Sequence, residues 1–409
     1  IIAAMRDLPT NIYSVESVRA IDRIAIDDHG VPGYDLMRRA AEAAIDDAIH
    51  EFPGARRWAV ICGAGNNAGD GYVVARLAVA AGYDVSVTSV VDPETLTGDA
   101  ATAYSDFADG GGSASIWSGH IDGDADLLID AIFGSGLTRD VGGRFRDAIE
   151  AMNAHPAPVH AMDIPSGICG DTGCIRGVAV RADITTTFVG LKAGLYLADG
   201  PDHCGKIAFA GLSIDPDWYA DLRPVFTCLE QKDVQSWLRP RSRAAHKGDF
   251  GHLLVIGGGP GMPGAARLCA EAALRTGAGR VSVASHPDHA MLIAATRPEI
   301  MSHAVTDEVE LAALMANADT VAFGPGLGQS EWAQRMLHAV ETASLPAVWD
   351  ADALNLLAKS PGVVANRIIT PHPGEAARLL ATTAGLIQAD RKGSLDALVK
   401  KFGGVAVLK

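Results

Sequence analysis

Residues Trp58–Ala78 read WAVICGAGNNAGDGYVVARLA, and the way this stretch folds decides the class of the whole chain. An apolar run, WAVIC, is followed by a glycine-rich turn holding two amides and a carboxylate, and then by residues that suit a helix. That is the strand–turn–helix unit of an α/β protein. A turn of this kind sets backbone N–H groups and a helix N-terminus against an anion, most simply a phosphate. Asn66, Asn67 and Asp70 add side-chain selectivity that a bare glycine turn lacks. Chemistry on a nucleotide-like molecule is therefore expected.

The same turn also fits G-x-G-x-x-A through Gly63, Gly65 and Ala68, and Asp92 closes the next strand-like run, DVSVTSVVD. A dinucleotide-binding dehydrogenase would carry that pattern too. The rest of the chain separates the two.

At 409 residues two domains are expected. With 48% hydrophobic and 20% charged residues the chain has ample material for globular cores. Its 34 basic residues against 49 acidic ones give a net charge of −15, which disfavours nucleic acid and acidic membrane surfaces as partners. Cys62, Cys169, Cys174, Cys204, Cys228 and Cys269 show no Cys-x-x-Cys spacing, so free thiols in a reducing cytosol are expected rather than a zinc site. No apolar stretch is long enough to span a membrane, and the opening IIAAMRDLPT is no signal peptide, which points to a cytoplasmic protein. Because the chain opens on Ile, its true N-terminus is expected upstream.

Apolar spacing predicts helices over Ser14–Ile26 and Gly33–His50. Strands are expected at Trp58–Cys62, Asp84–Val90, Asp126–Ile132, Val159–Ile164, Ile184–Phe188 and Lys206–Phe209, mostly separated by helical segments. That alternation implies a mostly parallel, doubly wound sheet. The polar, locally basic, proline-containing stretch from Arg223 looks like a junction. The alternation then restarts with His252–Ile256, Arg280–Ala284, Thr320–Phe323, Ala347–Trp349, Arg367–Thr370 and Val405–Leu408. The expected division is a domain over 1–222, a linker over 223–245 and a second domain over 246–409.

In such sheets ligands gather at the carboxyl ends of the strands. LLIDAIFGSGLTRD interrupts an apolar run with Asp130, and VHAMDIPSG does the same with Asp163. Each carboxylate costs free energy in an apolar strand end unless a proton, a cation or a ligand satisfies it. A hard cation held by oxygens of Asn67, Asp130 and Ser166 would do so; capping of the following turns is the plainer alternative. Lys192, the one basic residue in TFVGLKAGLY, is either functional or a solvated loop lysine.

NNAGDGYVVARLA, DAIFGSGL, DIPSG and GLKAGL, in this order, closely resemble the N-terminal domain of the bifunctional NAD(P)H-hydrate repair enzymes, over about residues 10–222. The resemblance implies a Rossmann-like domain with NAD(P)HX epimerase activity, interconverting the R and S forms of the hydrated cofactor. It implies that Asn66, Asn67, Ala68, Gly69 and Asp70, with Gly134, Ser135, Gly136, Leu137, Thr138, Arg139 and Asp140, bind the phosphates and ribose of the hydrate. Asn67, Asp130 and Ser166 would hold K+. Asp163 would meet the hydrated ring and handle the proton or the water, with Lys192 as its helper. One departure is Ala68, where the family usually has glycine. A dehydrogenase would account for the glycines, but gives no reason for Asn66, Asn67, Asp130 and Asp163 together.

The second half places glycine-rich loops at Gly257–Gly264 and Gly324–Gly328, aspartates at 350 and 352 after a short strand, and His372 between two prolines. HKG, GMPGAA, GPGLG, DADALN and TPHPGE resemble, in family order, the ribokinase-like dehydratase domain of the same enzymes. The resemblance implies ADP- or ATP-dependent dehydration of the S-hydrate with Mg2+, the nucleotide phosphorylating the hydroxyl so that it leaves as phosphate. Ala265, Gly326 and His372 would contact the hydrate, and Lys409 would open the AMP-binding loop. The family's later GMGD motif does not occur in these 409 residues, so the second domain is expected to be incomplete and inactive as a dehydratase. The alternative is a ribokinase-like small-molecule kinase fused to a non-catalytic nucleotide-binding scaffold. The expected partner is the small molecule NAD(P)HX, with no nucleic acid and no membrane, and a homo-oligomer is expected.

Overall fold

A computed structural model describes residues 8–121, 124–238, 240–295 and 297–409. The chain divides into two compact units, with the boundary between residues 238 and 239. Of the stretch expected to be a linker, the part up to Leu238 therefore belongs with the first unit.

In the first unit the strands are β1 (Asn11–Tyr13), β2 (Arg57–Cys62), β3 (Asp84–Ser89), β4 (Ala114–Ile116), β5 (Leu127–Ala131), β6 (Val159–Met162), β7 (Ile184–Phe188), β8 (Leu191–Lys192), β9 (Lys206–Ala210) and β10 (Phe226–Thr227). Seven of them form one parallel sheet in the order β4-β3-β2-β5-β6-β7-β9. The chain winds outward from β2 in both directions, so the switch point lies between β2 and β5, where ligands collect in open α/β sheets. Both faces are covered. Trp58, Val60 and Cys62 point into one apolar layer with Tyr72 and Phe107, while Ala59 and Ile61 point into another with Leu128 and Ile149. This explains why β2 and β5 read as continuous apolar runs rather than alternating ones.

The expected strands of this sheet all form; β4 is an addition. It is a partly exposed edge strand of three residues, ASI, too short and too polar to stand out as a pattern. A separate three-stranded sheet, β10-β1-β8, pairs Ile12 with Leu191 and Tyr13 with Lys192 in parallel, and Ile12 with Phe226 in antiparallel register. Helix α1 (Val15–Arg23) follows β1 directly, capped by Ser14, whose hydroxyl accepts from the Ser17 N–H at 3.1 Å. A π-helical turn over Ile24–Asp28 ends it, then come α2 (Gly33–Glu51) and α3 (Asn66–Ala80).

The second unit repeats the architecture with β11 (His252–Ile256), β12 (Arg280–Ser285), β13 (Met301–Ala304), β14 (Thr320–Phe323), β15 (Ala347–Trp349), β16 (Arg367–Ile369) and β17 (Val405–Ala406). They form one parallel sheet in the order β13-β12-β11-β14-β15-β16-β17. Phe323, Trp332 and Trp349 pack on one face, and Val281, Val283 and Ile293 on the other. The unforeseen strand is again at an edge: β13, MSHA, is half-exposed. No helix among the described residues is long and apolar enough to cross a membrane. All six cysteines are free thiols.

Candidate functional site

At the carboxyl ends of β2, β5 and β6 the first unit opens into a cavity of about 710 Å³. Its walls come from α1, α2, the first turn of α3, the loop after β5, and the segment leading into β8.

Helix α3 starts at Asn66, with Gly65 as its cap residue in extended conformation. Ala68 and Gly69 donate back to the Gly65 carbonyl at 2.9 and 3.3 Å, which leaves the first N–H groups of the helix at the cavity. Of the residues expected there, Asn66, Asn67 and Asp70 line the cavity. Ala68 and Gly69 turn inward instead. Ala68 is fully buried, and a Cβ on Gly69 would lie 2.6 Å from Met37 and 2.9 Å from the Ala100 backbone. Glycine at 69 is thus a requirement of packing between helices. Ala68, where the family prefers glycine, has helical backbone and fits without strain.

Gly134, Ser135, Gly136, Leu137, Thr138 and Arg139 also line the cavity, whereas Asp140 lies outside it. The Ser135 N–H donates to Asp163 Oδ2 at 3.0 Å, so this loop is drawn onto the end of β6.

Asp163 has φ +68°, left-handed backbone that aspartate tolerates better than most residues, and its N–H donates to the Thr186 carbonyl at 2.8 Å. This turn aims the carboxylate into the cavity rather than along the strand. Its Oδ1 accepts from Lys192 Nζ, which also donates to Thr187 Oγ1 at 3.0 Å and to the Phe188 carbonyl at 2.8 Å. Lys192 is only 1% exposed, so it is no solvated loop lysine. Burial pushes the Asp163 carboxyl up, but the Lys192 charge and the hydrogen bonds from Lys192 and Ser135 outweigh it, leaving it below the ordinary carboxylate range.

Asp130 and Ser166 lie beneath the cavity, both fully buried. Asp130 accepts from Ser166 Oγ at 2.6 Å, Ser166 N–H at 2.8 Å and Ile132 N–H at 3.2 Å. Burial raises its carboxyl to about 6 against those bonds, so a cation beside it would be favourable. Ser166 Oγ accepts from the Phe133 N–H at 2.8 Å, one residue from Gly134, where an added Cβ would lie 3.4 Å from Asn67 Oδ1. The Asn67 amide nitrogen is buried without a hydrogen-bond partner, an orphan that exchange of its amide O and N beside a cation would resolve. Three oxygen donors with a single formal charge suit a hard monovalent cation. No cluster of three His, Cys, Asp or Glu residues suited to a transition metal occurs among the described residues.

Three charged cavity residues were missed by the sequence motifs: Arg19, Asp22 and Asp99. Asp22 had a legible signal. It falls at i+7 and i+4 from the buried Val15 and Val18, on the inward stripe of α1.

In the second unit Gly326 follows β14, Asp350 and Asp352 follow β15, and His372 follows β16, while Ala265 lies in the helix Pro263–Thr276 after β11 and Lys409 lies after β17. A Cβ on Gly326 (φ +59°) would touch the Met262 carbonyl at 2.5 Å and the Ala265 Cβ at 3.1 Å, so the two expected hydrate contacts are neighbours. His372 caps the next helix: its N–H donates to Glu375 Oε2 at 2.9 Å, and its Nδ1 accepts from the Gly374 N–H at 3.0 Å. Lys409 Nζ pairs with Asp350 at 2.7 Å and lies 4.0 Å from Glu375, which ties Lys409 to the His372 turn. Asp352 accepts from the Gly328 N–H at 2.8 Å and fixes the Gly324–Gly328 loop.

Residues 33–194 match the family described as YjeF-related protein N-terminus, and residues 253–409 match NAD(P)H-hydrate dehydratase. The bifunctional NAD(P)H-hydrate repair enzyme Nnr of Escherichia coli is 42% identical over 406 residues, covering 98% of this chain and 78% of the relative. That of Coxiella burnetii is 41% identical, covering 98% and 82%. Among solved structures, the ADP/ATP-dependent NAD(P)H-hydrate dehydratase from Bacillus subtilis co-crystallised with ATP/Mg2+ is 30% identical, covering 44% of this chain and 65% of that one, with a TM-score of 0.39.

Proposed function

This chain belongs to the family of bifunctional NAD(P)H-hydrate repair enzymes, and from that premise we propose that its first unit epimerises R- and S-NAD(P)HX and that its second, matched to NAD(P)H-hydrate dehydratase over 253–409, dehydrates the S form with ADP or ATP and Mg2+, in place of the inactivity expected from the sequence. The observation that carries the epimerase is the Asp163–Lys192 pair, with Asp163 on left-handed backbone at the end of β6 and hydrogen-bonded to the Gly134–Thr138 loop, which lines the same cavity.

The ligand's phosphates meet the free N–H groups of α3 and the glycine-rich loop. Burial, reinforced by Asp163 and Asp22, pushes the Asp70 carboxyl well above the usual range, which weakens its repulsion of them. Asp163, ionised because Lys192 stands beside it, accepts a proton at the hydrated ring. K+ fits the oxygens of Asn67, Asp130 and Ser166, where its charge would keep the Asp130 carboxylate ionised. In the second unit Ala265, Gly326 and His372 contact the hydrate and Lys409 the nucleotide. The protein works in the cytoplasm on a small molecule, as a homo-oligomer.

The test is chiral-resolving chromatography of R-enriched NADHX incubated with the chain in potassium buffer, with and without ADP and Mg2+. R-to-S equilibration without nucleotide is expected, and recovery of NADH only with nucleotide marks the dehydratase. Equilibration at the spontaneous rate would return the first unit to a binding scaffold.

A further inference from the structure

Asp22 belongs to none of the sequence motifs, yet α1 is tethered so that this carboxyl faces the cavity. β1, which leads straight into α1, pairs Tyr13 with Lys192. The Val15 N–H donates to Asp171 Oδ1 at 2.8 Å and fixes the start of the helix. Val18 Cγ2 packs so closely on Gly190 that a Cβ there would lie 3.2 Å away, and Arg19 lies over Gly136, 2.7 Å from where its Cβ would be. Three contacts thus fix the pitch and rotation of α1, and Asp22 takes the inward position an apolar residue would normally fill.

The charged groups facing Asp22 are Lys192 from β8, Asp163 from the end of β6, Asp70 from α3 and Arg23 from its own helix. Arg19, Asp99 and Arg139 complete the charges of the cavity wall. Of the carboxyls that line this cavity, Asp163 and Asp22 reach it from different elements, and both face Lys192. Their environments also push them apart. Asp163 lies below the ordinary range, while burial carries Asp22 up to about 6 despite Lys192, with the Asp163 charge adding to the rise.

We propose that Asp22 is the general acid of the epimerisation, giving its proton to the leaving hydroxyl of the hydrate while Asp163 acts as base on the water that re-adds; this rests on the epimerase function proposed above. Water adds to the enamine of a reduced nicotinamide with its hydroxyl on the carbon next to the ring nitrogen, because nitrogen stabilises a cation there. Asp22 protonates that hydroxyl, the C–O bond breaks, the nitrogen lone pair forms a C=N+ bond, and water leaves. A water then bonds to the other face of the same carbon, the electron pair returns to nitrogen, and Asp163 takes the released proton. The net transfer is one proton from Asp22 to Asp163, reset through solvent at the cavity mouth. The reverse direction exchanges the two roles. Burial, reinforced by the Asp163 and Asp22 charges, raises the Asp70 carboxyl well above the usual range, which makes it a weaker acid than an ordinary carboxyl. The active form is the singly protonated pair, so the rate falls about tenfold per pH unit once the second carboxyl ionises.

The experiment uses the full chain, with Asp22→Asn and Asp22→Glu variants, and follows initial R–S equilibration of NADHX from about pH 5 to about pH 8. The wild type is expected to lose activity above about pH 6. Asp22→Asn is expected to lower kcat by about 100-fold or more, with KM changed less than about twofold, and to abolish that alkaline limb; Asp22→Glu restores part of both. An Asn variant within about threefold of wild type with the limb intact overturns the assignment. Should the Asn variant not fold, a wild-type profile flat through this range overturns it equally. A wild type no faster than the spontaneous reaction defeats the epimerase function itself, a separate result.

Discussion

Lys192 and Asp163 show how much one buried pair decides. Lys192 is bonded to Asp163, Thr187 and Phe188 and almost fully enclosed, so removing its charge leaves a carboxylate in a dry site without its cation. Burial would then raise Asp163 against the Ser135 hydrogen bonds alone. Lys192→Met is expected to lower the epimerisation rate by about 10²- to 10⁴-fold and to move the acid limb of the pH profile to higher pH, because the base must be ionised to work. A variant with wild-type rate and an unmoved limb would make Lys192 structural only. His160 gives a second prediction at this scale. It is fully buried, its Nε2 meets Thr186 Oγ1 at 2.8 Å, and its Nδ1 has no partner. Burial, opposed by the Glu51 charge, lowers it from 6.5 to about 4. The native state thus holds the neutral ring, and stability present above the unfolded value is lost as pH falls from about 6.5 toward about 4. The loss amounts to about 3 kcal/mol, and urea unfolding of His160→Gln is expected to lack it.

At the scale of elements, the site depends on close approach of backbones. A Cβ on Gly170 would lie 2.5 Å from Val15 Cγ2 and 3.2 Å from Ser135 Cβ, so this residue is the spacer between α1 and the loop that reaches Asp163. Gly170→Ala is expected to cost about 1–3 kcal/mol by overpacking. Because the wedge acts on both walls of the cavity, it should also slow epimerisation by more than about tenfold. Urea unfolding and the equilibration assay on the same preparation check both halves, and a destabilised but fully active variant would show that α1 and the loop move together. The cap of α1 is a milder lever. Asp171→Ala leaves the Val15 N–H unpaired and is expected to cost about 1 kcal/mol in the same unfolding assay.

For the molecule as a whole, each unit has its own parallel sheet and its own pair of apolar layers. Calorimetry is expected to resolve two transitions rather than one. ATP with Mg2+ is expected to raise the one belonging to the second unit, by about 2.7 kcal/mol at a hundredfold excess over Kd. A single transition, or an equal shift of both, would contradict that. The acidic balance of the chain places no restriction on an anionic ligand, since helix N-termini and glycine loops act over a few ångströms while exposed charges are screened within about 10 Å.

Most of the parallel architecture was legible in the chain, because buried central strands must be apolar on both faces and their ends must carry the turns. β4 and β13 were not, since an edge strand has fewer neighbours to demand an apolar side chain. Asp130, Asp163 and Lys192 could be picked out because a polar group in an apolar run costs free energy that something must offset, and Asn67 and Ser166 because they lie in the turns at strand ends. Their partnership could not. That Lys192 reaches Asp163 rather than solvent follows from the β1–β8 pairing and a left-handed turn at Asp163. The apolar stripe of α1 marks Asp22 as inward-facing, but sequence alone had no means of bringing that face to the cavity or of turning Ala68 and Gly69 away from it. Those outcomes depend on how each helix is rotated against its neighbours, set for α1 by contacts such as Val15 with Asp171 and Val18 with Gly190, far apart in the chain, and for α3 by Met37 and Ala100 against Gly69.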